Sequence, residues 1–177
     1  MSVSVTEGPT ELVAGRVRLR ALAPPDCVAL GRDPVAFAGD LGLACAPEWP
    51  APVIRQRFAE GPREMPDDPR FGFWIVIEEA ERTIIGDVGF HGPPDAADSV
   101  EVGYALAPGW RGRGYATEAV GRVCTWAQGE GGARAVTARI RPDNEASARV
   151  VARLGFERVG AADGYEVWRR GVRSPID

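Results

Sequence analysis

The chain has 177 residues, a hydrophobic fraction of 45%, a charged fraction of 26% and a formal net charge of −4. That length fits one domain around one core, and the composition is that of a globular chain rather than a disordered one. The acidic balance argues against a nucleic-acid surface, which needs a clustered excess of Lys and Arg. Cys27, Cys45 and Cys124 show no CxxC spacing and His91 is the single histidine, so neither a disulfide scaffold nor a metal site is expected. Residues 1–15 have neither a basic nor an apolar signal region, and no run approaches the roughly 18 apolar residues of a membrane span. A cytoplasmic protein is expected.

In chain order, residues 1–15 read as a flexible lead-in and 16–177 as a single domain. Arg16-Val-Arg-Leu-Arg20 alternates charged and apolar residues, the period of a half-buried strand, and its arginines read as the wet face. A short helix follows Pro24-Pro25-Asp26 to about Arg32. Residues 33–50 read as irregular, and a second helix runs from about Val53 to Glu60. The Pro-rich stretch 61–70 reads as a mobile loop. Phe71–Glu79, Thr83–Phe90 and Ser99–Leu106 form three strands in sequence, an antiparallel meander.

The period then changes. Ala116, Ala119, Val120, Val123, Cys124 and Ala127 make the stripe of an amphipathic helix. Ala133–Ile140 is a buried strand. Asp143 or Asn144 caps a further helix that turns Val150, Val151 and Leu154 inward and stops at Gly155. Phe156–Gly160 and Tyr165–Arg170 close the chain as a hairpin across Asp163-Gly164.

Chemistry concentrates where the third meander strand meets the long helix, at Ala107-Pro-Gly-Trp-Arg-Gly-Arg-Gly-Tyr-Ala-Thr117. Gly112 and Gly114 let backbone N–H groups crowd an oxyanion, the helix N-terminus offers unpaired donors, and Arg111 and Arg113 add charge. This is a phosphate site or an ordinary tight turn. It is no Walker loop, since no Gly-Lys-Ser/Thr follows, and it lacks the third glycine of a dinucleotide fingerprint.

Arg111-x-x-Gly114-x-Ala116 resembles the acyl-CoA pyrophosphate motif of the GNAT N-acetyltransferase superfamily. Val100-Glu-Val-Gly-Tyr-Ala-Leu106, Gly112-Arg-Gly-Tyr-Ala-Thr-Glu-Ala119, Asn144-x-x-Ser147 and Leu154-Gly-Phe156 resemble its Rim-type branch, which acetylates ribosomal-protein N-termini and diverse amines. The resemblance implies an α+β, three-layer fold whose mixed, mainly antiparallel sheet is flanked by helices and splays open between its fourth and fifth strands. It implies an acetyltransferase that uses acetyl-CoA and an amine acceptor; with the composition above, no metal, nucleic acid or membrane is expected, and the chain is expected as a monomer or homodimer. Pantetheine is expected along Tyr104, Ala105 and Leu106, with an N–H near Leu106 polarising the thioester carbonyl. The pyrophosphate is expected on Arg111, Gly112, Arg113, Gly114, Tyr115 and Ala116, and Asn144 is the further cofactor-binding position.

The attacking amine must lose a proton. Glu101 is the candidate base, or else a solvent-facing strand residue. The family's usual acid, a tyrosine seven residues after the asparagine, is Val151 here. Ser147 is the substitute acid or a helix-cap partner, and Tyr165 is a more distant alternative. His91 reads as a surface residue or a substrate contact, and Trp49 as core or a cover over the acceptor pocket, which residues 30–70 and the loop near Asp163 are expected to build. A non-catalytic acyl-CoA-binding module is the rival reading, and a dinucleotide oxidoreductase is disfavoured by the order of elements.

Overall fold

Alternation of apolar and charged residues sets the first strands in the computed structural model, which describes residues 10–59 and 66–171. Strand β1 (Glu11–Ala14) buries Leu12, and β2 (Val17–Ala21) buries Val17, Leu19 and Ala21 while Arg18 and Arg20 stay half-exposed. Gly15 and Arg16 form the two-residue turn between them, with Gly15 at φ 54. Residues 11–14, expected as lead-in, are therefore a paired strand. Their period is too short to stand out before the hairpin closes.

The helices α1 (Pro24–Arg32) and α3 (Pro52–Ala59) lie where proline at the first turn predicts them. Between them, the stretch expected to be irregular holds α2 (Pro34–Asp40) and β3 (Ala44–Cys45). The start signal of α2 is local: the Asp33 carboxylate accepts from the Val35 and Ala36 N–H groups at 3.1 and 3.0 Å. The helix is too short to show a stripe. Glu60, the expected end of the second helix, and residues 61–65 of the expected loop lie outside the described residues.

Strands β4 (Phe73–Glu78), β5 (Thr83–Phe90) and β6 (Ser99–Leu106) form the expected meander. Helix α4 (Tyr115–Gln128) crosses to β7 (Ala135–Ile140), and α5 (Glu145–Arg153) leads to the hairpin of β8 (Glu157–Ala162) and β9 (Tyr165–Gly171). The sheet order is β1-β2-β4-β5-β6-β7-β9-β8, with β3 parallel to β5. Strand β5 is buried throughout, as a central strand covered on both faces should be. On one face α4 packs over Val76, Val88, Val102 and Val136. On the other, Leu30, Phe37 and Phe58 of α1, α2 and α3 cover Ile75, Ile77 and Ile84. These are the three layers.

The order matches the expected mixed sheet, and the splay falls where it is expected. β6 and β7 run parallel through only three pairs, from Ser99↔Ala135 to Glu101↔Thr137, and then diverge. Ala107 donates to Ile85 O and His91 donates to Glu101 O, so the odd residues of β6 bond to β5. Successive backbone groups of a strand point to opposite sides, which turns those of Val102, Tyr104 and Leu106 toward the gap left by β7. Among the described residues, no helix is long and apolar enough to cross a membrane.

Candidate active site

The gap between β6 and β7 is roofed by the first turn of α4 and by α5. Gly112 and Gly114 take φ 72 and φ 87, a region where other residues are strained, and Gly114 is the N-cap of α4. A side chain at Gly112 would meet nothing within 4 Å, so glycine is required there for conformation and the space above the loop is open. The Arg111 side chain folds back over the end of β6, its Nε donating to Leu106 O at 3.0 Å.

The resulting cavity has a volume of about 550 Å³, within the usual range for a small-molecule site. Its walls are Tyr104, Ala105 and Leu106 of β6, Arg111, Gly112 and Gly114 of the loop, Tyr115 and Ala116 of α4, and Asn144, Ser147 and Val150 at α5. All the expected cofactor positions except Arg113 line it. The Arg113 guanidinium instead lies 5.2 Å over the Trp110 ring and donates to Gly109 O. Ala105 lines the wall, but its backbone groups face β5; of the three expected pantetheine positions, Tyr104 and Leu106 turn main-chain groups toward the gap, where Leu106 O already accepts from Arg111.

At α5 the Asn144 carboxamide accepts from the Ser147 N–H at 3.1 Å, which is a cap made through backbone. The Ser147 hydroxyl takes no part in it and makes no hydrogen bond among the described residues. Tyr104 Oη donates to Ser147 O at 3.2 Å, joining β6 to α5 across the gap, and burial raises the Tyr104 hydroxyl above its ordinary value. Val151 is fully buried. Tyr165 packs under Arg139 and lies outside the cavity lining.

Glu101 is not in the lining either. Val100, Val102, Tyr104 and Leu106 face α4, which puts Glu101 on the opposite face of β6. There its Oε1 lies 3.0 Å from His91 Nδ1, and the His91 Nε2 lies 3.3 Å from where a side chain on Gly103 would begin. The sequence alone reads His91 as a surface residue or a substrate contact. It is half-exposed, but it is the carboxylate's partner.

Two further pairings have no signal in the sequence. Asp87 is buried on β5 and accepts from Trp49 Nε1 at 2.7 Å; desolvation pushes its carboxyl up to about 6. Trp49 is thereby a core residue, tied to the sheet. Arg16 and Glu118, 102 residues apart, form an ion pair at 2.6 Å beside the glycine loop.

Residues 16–157 match the family model of the acetyltransferase (GNAT) domain. The chain belongs to the GNAT acetyltransferase family. The N-acetyltransferase YjdG of Bacillus subtilis is 27% identical over 164 residues, spanning 89% of this chain and 95% of that one. Among solved structures, an acetyltransferase from Agrobacterium tumefaciens is 22% identical at a TM-score of 0.61, covering 96% of this chain and 99% of that one. A ribosomal-protein-S5-alanine acetyltransferase from Vibrio fischeri is 18% identical at a TM-score of 0.63, covering 92% and 97%. These structural likenesses establish the GNAT fold, Rim-type members included. The protein is an acyltransferase of the N-acetyltransferase kind, and the non-catalytic alternative finds no support.

Proposed function

We propose that the cavity seats acetyl-CoA and that the enzyme acetylates a primary amine, of a small molecule or of a protein N-terminus, in the cytoplasm. One observation carries this reading: the stretch of β6 that β7 leaves and the glycine loop open into a single cavity of about 550 Å³. The residues fit such a ligand. The loop and the first turn of α4 offer N–H donors at a helix N-terminus beside Arg111, which suits a pyrophosphate. Tyr104 and Leu106 offer an extended backbone to a chain bearing amides. Bound acetyl-CoA supplies the activated acetyl group.

The cofactor and the acceptor then approach β6 from opposite faces. The α4–α5 side holds the thioester, and the face carrying Glu101 and His91 admits the amine. Glu101 takes the proton that an amine with a pKa of roughly 8 or above carries at neutral pH, directly or through water. The Leu106 N–H turns into the gap, where it can stabilise the charge that develops on the carbonyl oxygen. Ser147 and Tyr104 bring hydroxyls to the cavity wall, and either would give the departing thiolate its proton in place of the family's tyrosine, whose position is Val151. The structural neighbours named for ribosomal-protein acetylation favour a protein α-amine as the first acceptor class to try.

The test is calorimetry with CoA, acetyl-CoA and NAD, followed by thiol release across a panel of amines and N-terminal peptides. Binding of CoA by the wild type, weakened roughly 10- to 100-fold in Arg111→Ala and little in Arg113→Ala, is the expected pattern. Arg111→Ala binding CoA as tightly as the wild type refutes the seat.

A further inference from the structure

Arg16 occupies the tip of the β1–β2 hairpin, outside β2, and the tip docks on the start of α4. Its backbone N–H donates to Glu118 Oε2 at 2.8 Å, and its Nε donates to Glu118 Oε1 at 2.8 Å. One terminal nitrogen donates both to Glu118 Oε1 at 2.6 Å and to the Arg113 carbonyl oxygen at 2.7 Å. The guanidinium lies 4.1 Å over the Tyr115 ring, which in turn meets Trp110 edge-on at 5.7 Å. Gly15 suits the tip: its φ is 54, and a side chain there would press on Glu118 Oε2 at 2.7 Å.

The bond to Arg113 O bears on the ligand side of the loop. A trans peptide is planar, and its C=O and N–H point to opposite sides. Holding the Arg113 carbonyl toward Arg16 therefore turns the Gly114 N–H away from Arg16, toward the cavity that Gly114 lines. Gly114 has no side chain to fix this plane, and at φ 87 the flanking torsions are those of the most permissive residue. Arg16 also answers a charge problem. Glu118 sits in the first turn of α4, where its carboxylate suits the helix dipole but repels an incoming phosphate. The paired guanidinium cancels that repulsion.

We propose that Arg16 is a positioning residue of the phosphate loop, fixing the peptide that joins Arg113 to Gly114 and masking Glu118, without itself touching the ligand. The proposal rests on the reading of residues 111–116 as the acyl-CoA phosphate seat. It makes the N-terminal hairpin part of the cofactor site.

Calorimetry with CoA and with dephospho-CoA tests it on the wild type, Arg16→Ala, Arg16→Lys and Arg18→Ala. Arg18, on the same hairpin but away from the loop, pairs with Glu11 of β1 and with Glu79 just past β4, and controls for loosening of the strands. Arg16→Ala should weaken both ligands by the same factor, roughly 10- to 100-fold, and Arg16→Lys, lacking the planar fork, should recover only part of it. Arg18→Ala should stay within about twofold of wild type while lowering the melting temperature. The Gly114 amide resonance should move in ligand-free Arg16→Ala and stay put in Arg18→Ala. Unchanged affinity in a folded Arg16→Ala overturns the proposal. So does a loss seen with CoA but not dephospho-CoA, which means a direct contact to the 3′-phosphate, or an equal loss in Arg18→Ala. Should Arg16→Ala not fold, Arg16→Gln takes its place: it keeps a long polar side chain but neither the charge nor the fork, a loss of the same order is expected, and equal affinity overturns the idea. A wild type that binds neither ligand instead refutes the phosphate seat itself.

Discussion

Replacing Asp87 by asparagine should flatten the pH dependence of stability. In the folded chain desolvation holds this carboxyl at about 6, against an ordinary value of 3.8, and the Trp49 hydrogen bond offsets burial only in part. A folded value above the unfolded one means that the native state binds the proton more tightly. Between pH 4 and 6 the native state is then the more protonated, so stability falls as pH rises through that window and levels off above it. The interval from 3.8 to about 6, at 1.36 kcal/mol per pH unit, amounts to about 3 kcal/mol. A carboxamide at this position accepts the same indole N–H but does not titrate, so the variant lacks this dependence. Urea unfolding of both proteins at half-unit steps from pH 4.5 to 7.5 reads the difference. Asp87→Asn should gain on the wild type by about 2 kcal/mol across that range, whatever its offset at the acid end. Parallel curves refute the reasoning, and a wild type that gains on the variant with rising pH reverses it, since that is the behaviour of a carboxylate stabilised by its charge.

Glu101→Gln should leave CoA affinity unchanged and lower turnover by about 10²–10⁴, with the defect shrinking at high pH where the amine arrives deprotonated; steady-state rates at pH 7 and 9.5 decide it. Ser147→Ala should keep the wild-type melting temperature, because the cap runs through its N–H, and any loss of turnover then reports the hydroxyl. Tyr104→Phe is its companion, and a double variant with wild-type turnover means that the thiolate leaves unaided. Burial pushes the Cys27 and Cys124 thiols up to about 12, so a disulfide reagent at pH 8 should titrate at most Cys45 in the native enzyme and all three cysteines in urea.

What is legible in the chain is local or periodic. The α4 stripe, the meander and the Asn144 cap all announce themselves within a few residues, and the glycine loop does so through residue types that only a left-handed turn or a close ligand requires. What escapes depends on distance in sequence. Nothing in Arg16 names Glu118, nothing in Trp49 names Asp87, and the pairing of His91 with Glu101 exists only because two strands align in register. The motif around Arg113 points its side chain at the ligand, yet the Trp110 ring beside it offers a nearer partner. Short elements stay hidden for a related reason: α2 and β1 have no room to display a period.

The parting of β6 from β7 leaves a strand edge inside the molecule. On a protein's exterior, such a row of unpaired amides invites a neighbour's strand and is usually blunted by charge or proline. Here α4 and α5 wall it beside a cavity of about 550 Å³, and an extended chain with amides of its own is the kind of partner such an edge pairs with. On the proposed reading, recognition of that chain belongs to main-chain groups, which every residue type shares. Side chains along β6 are then free to change toward new acceptors without altering how the donor's arm is gripped.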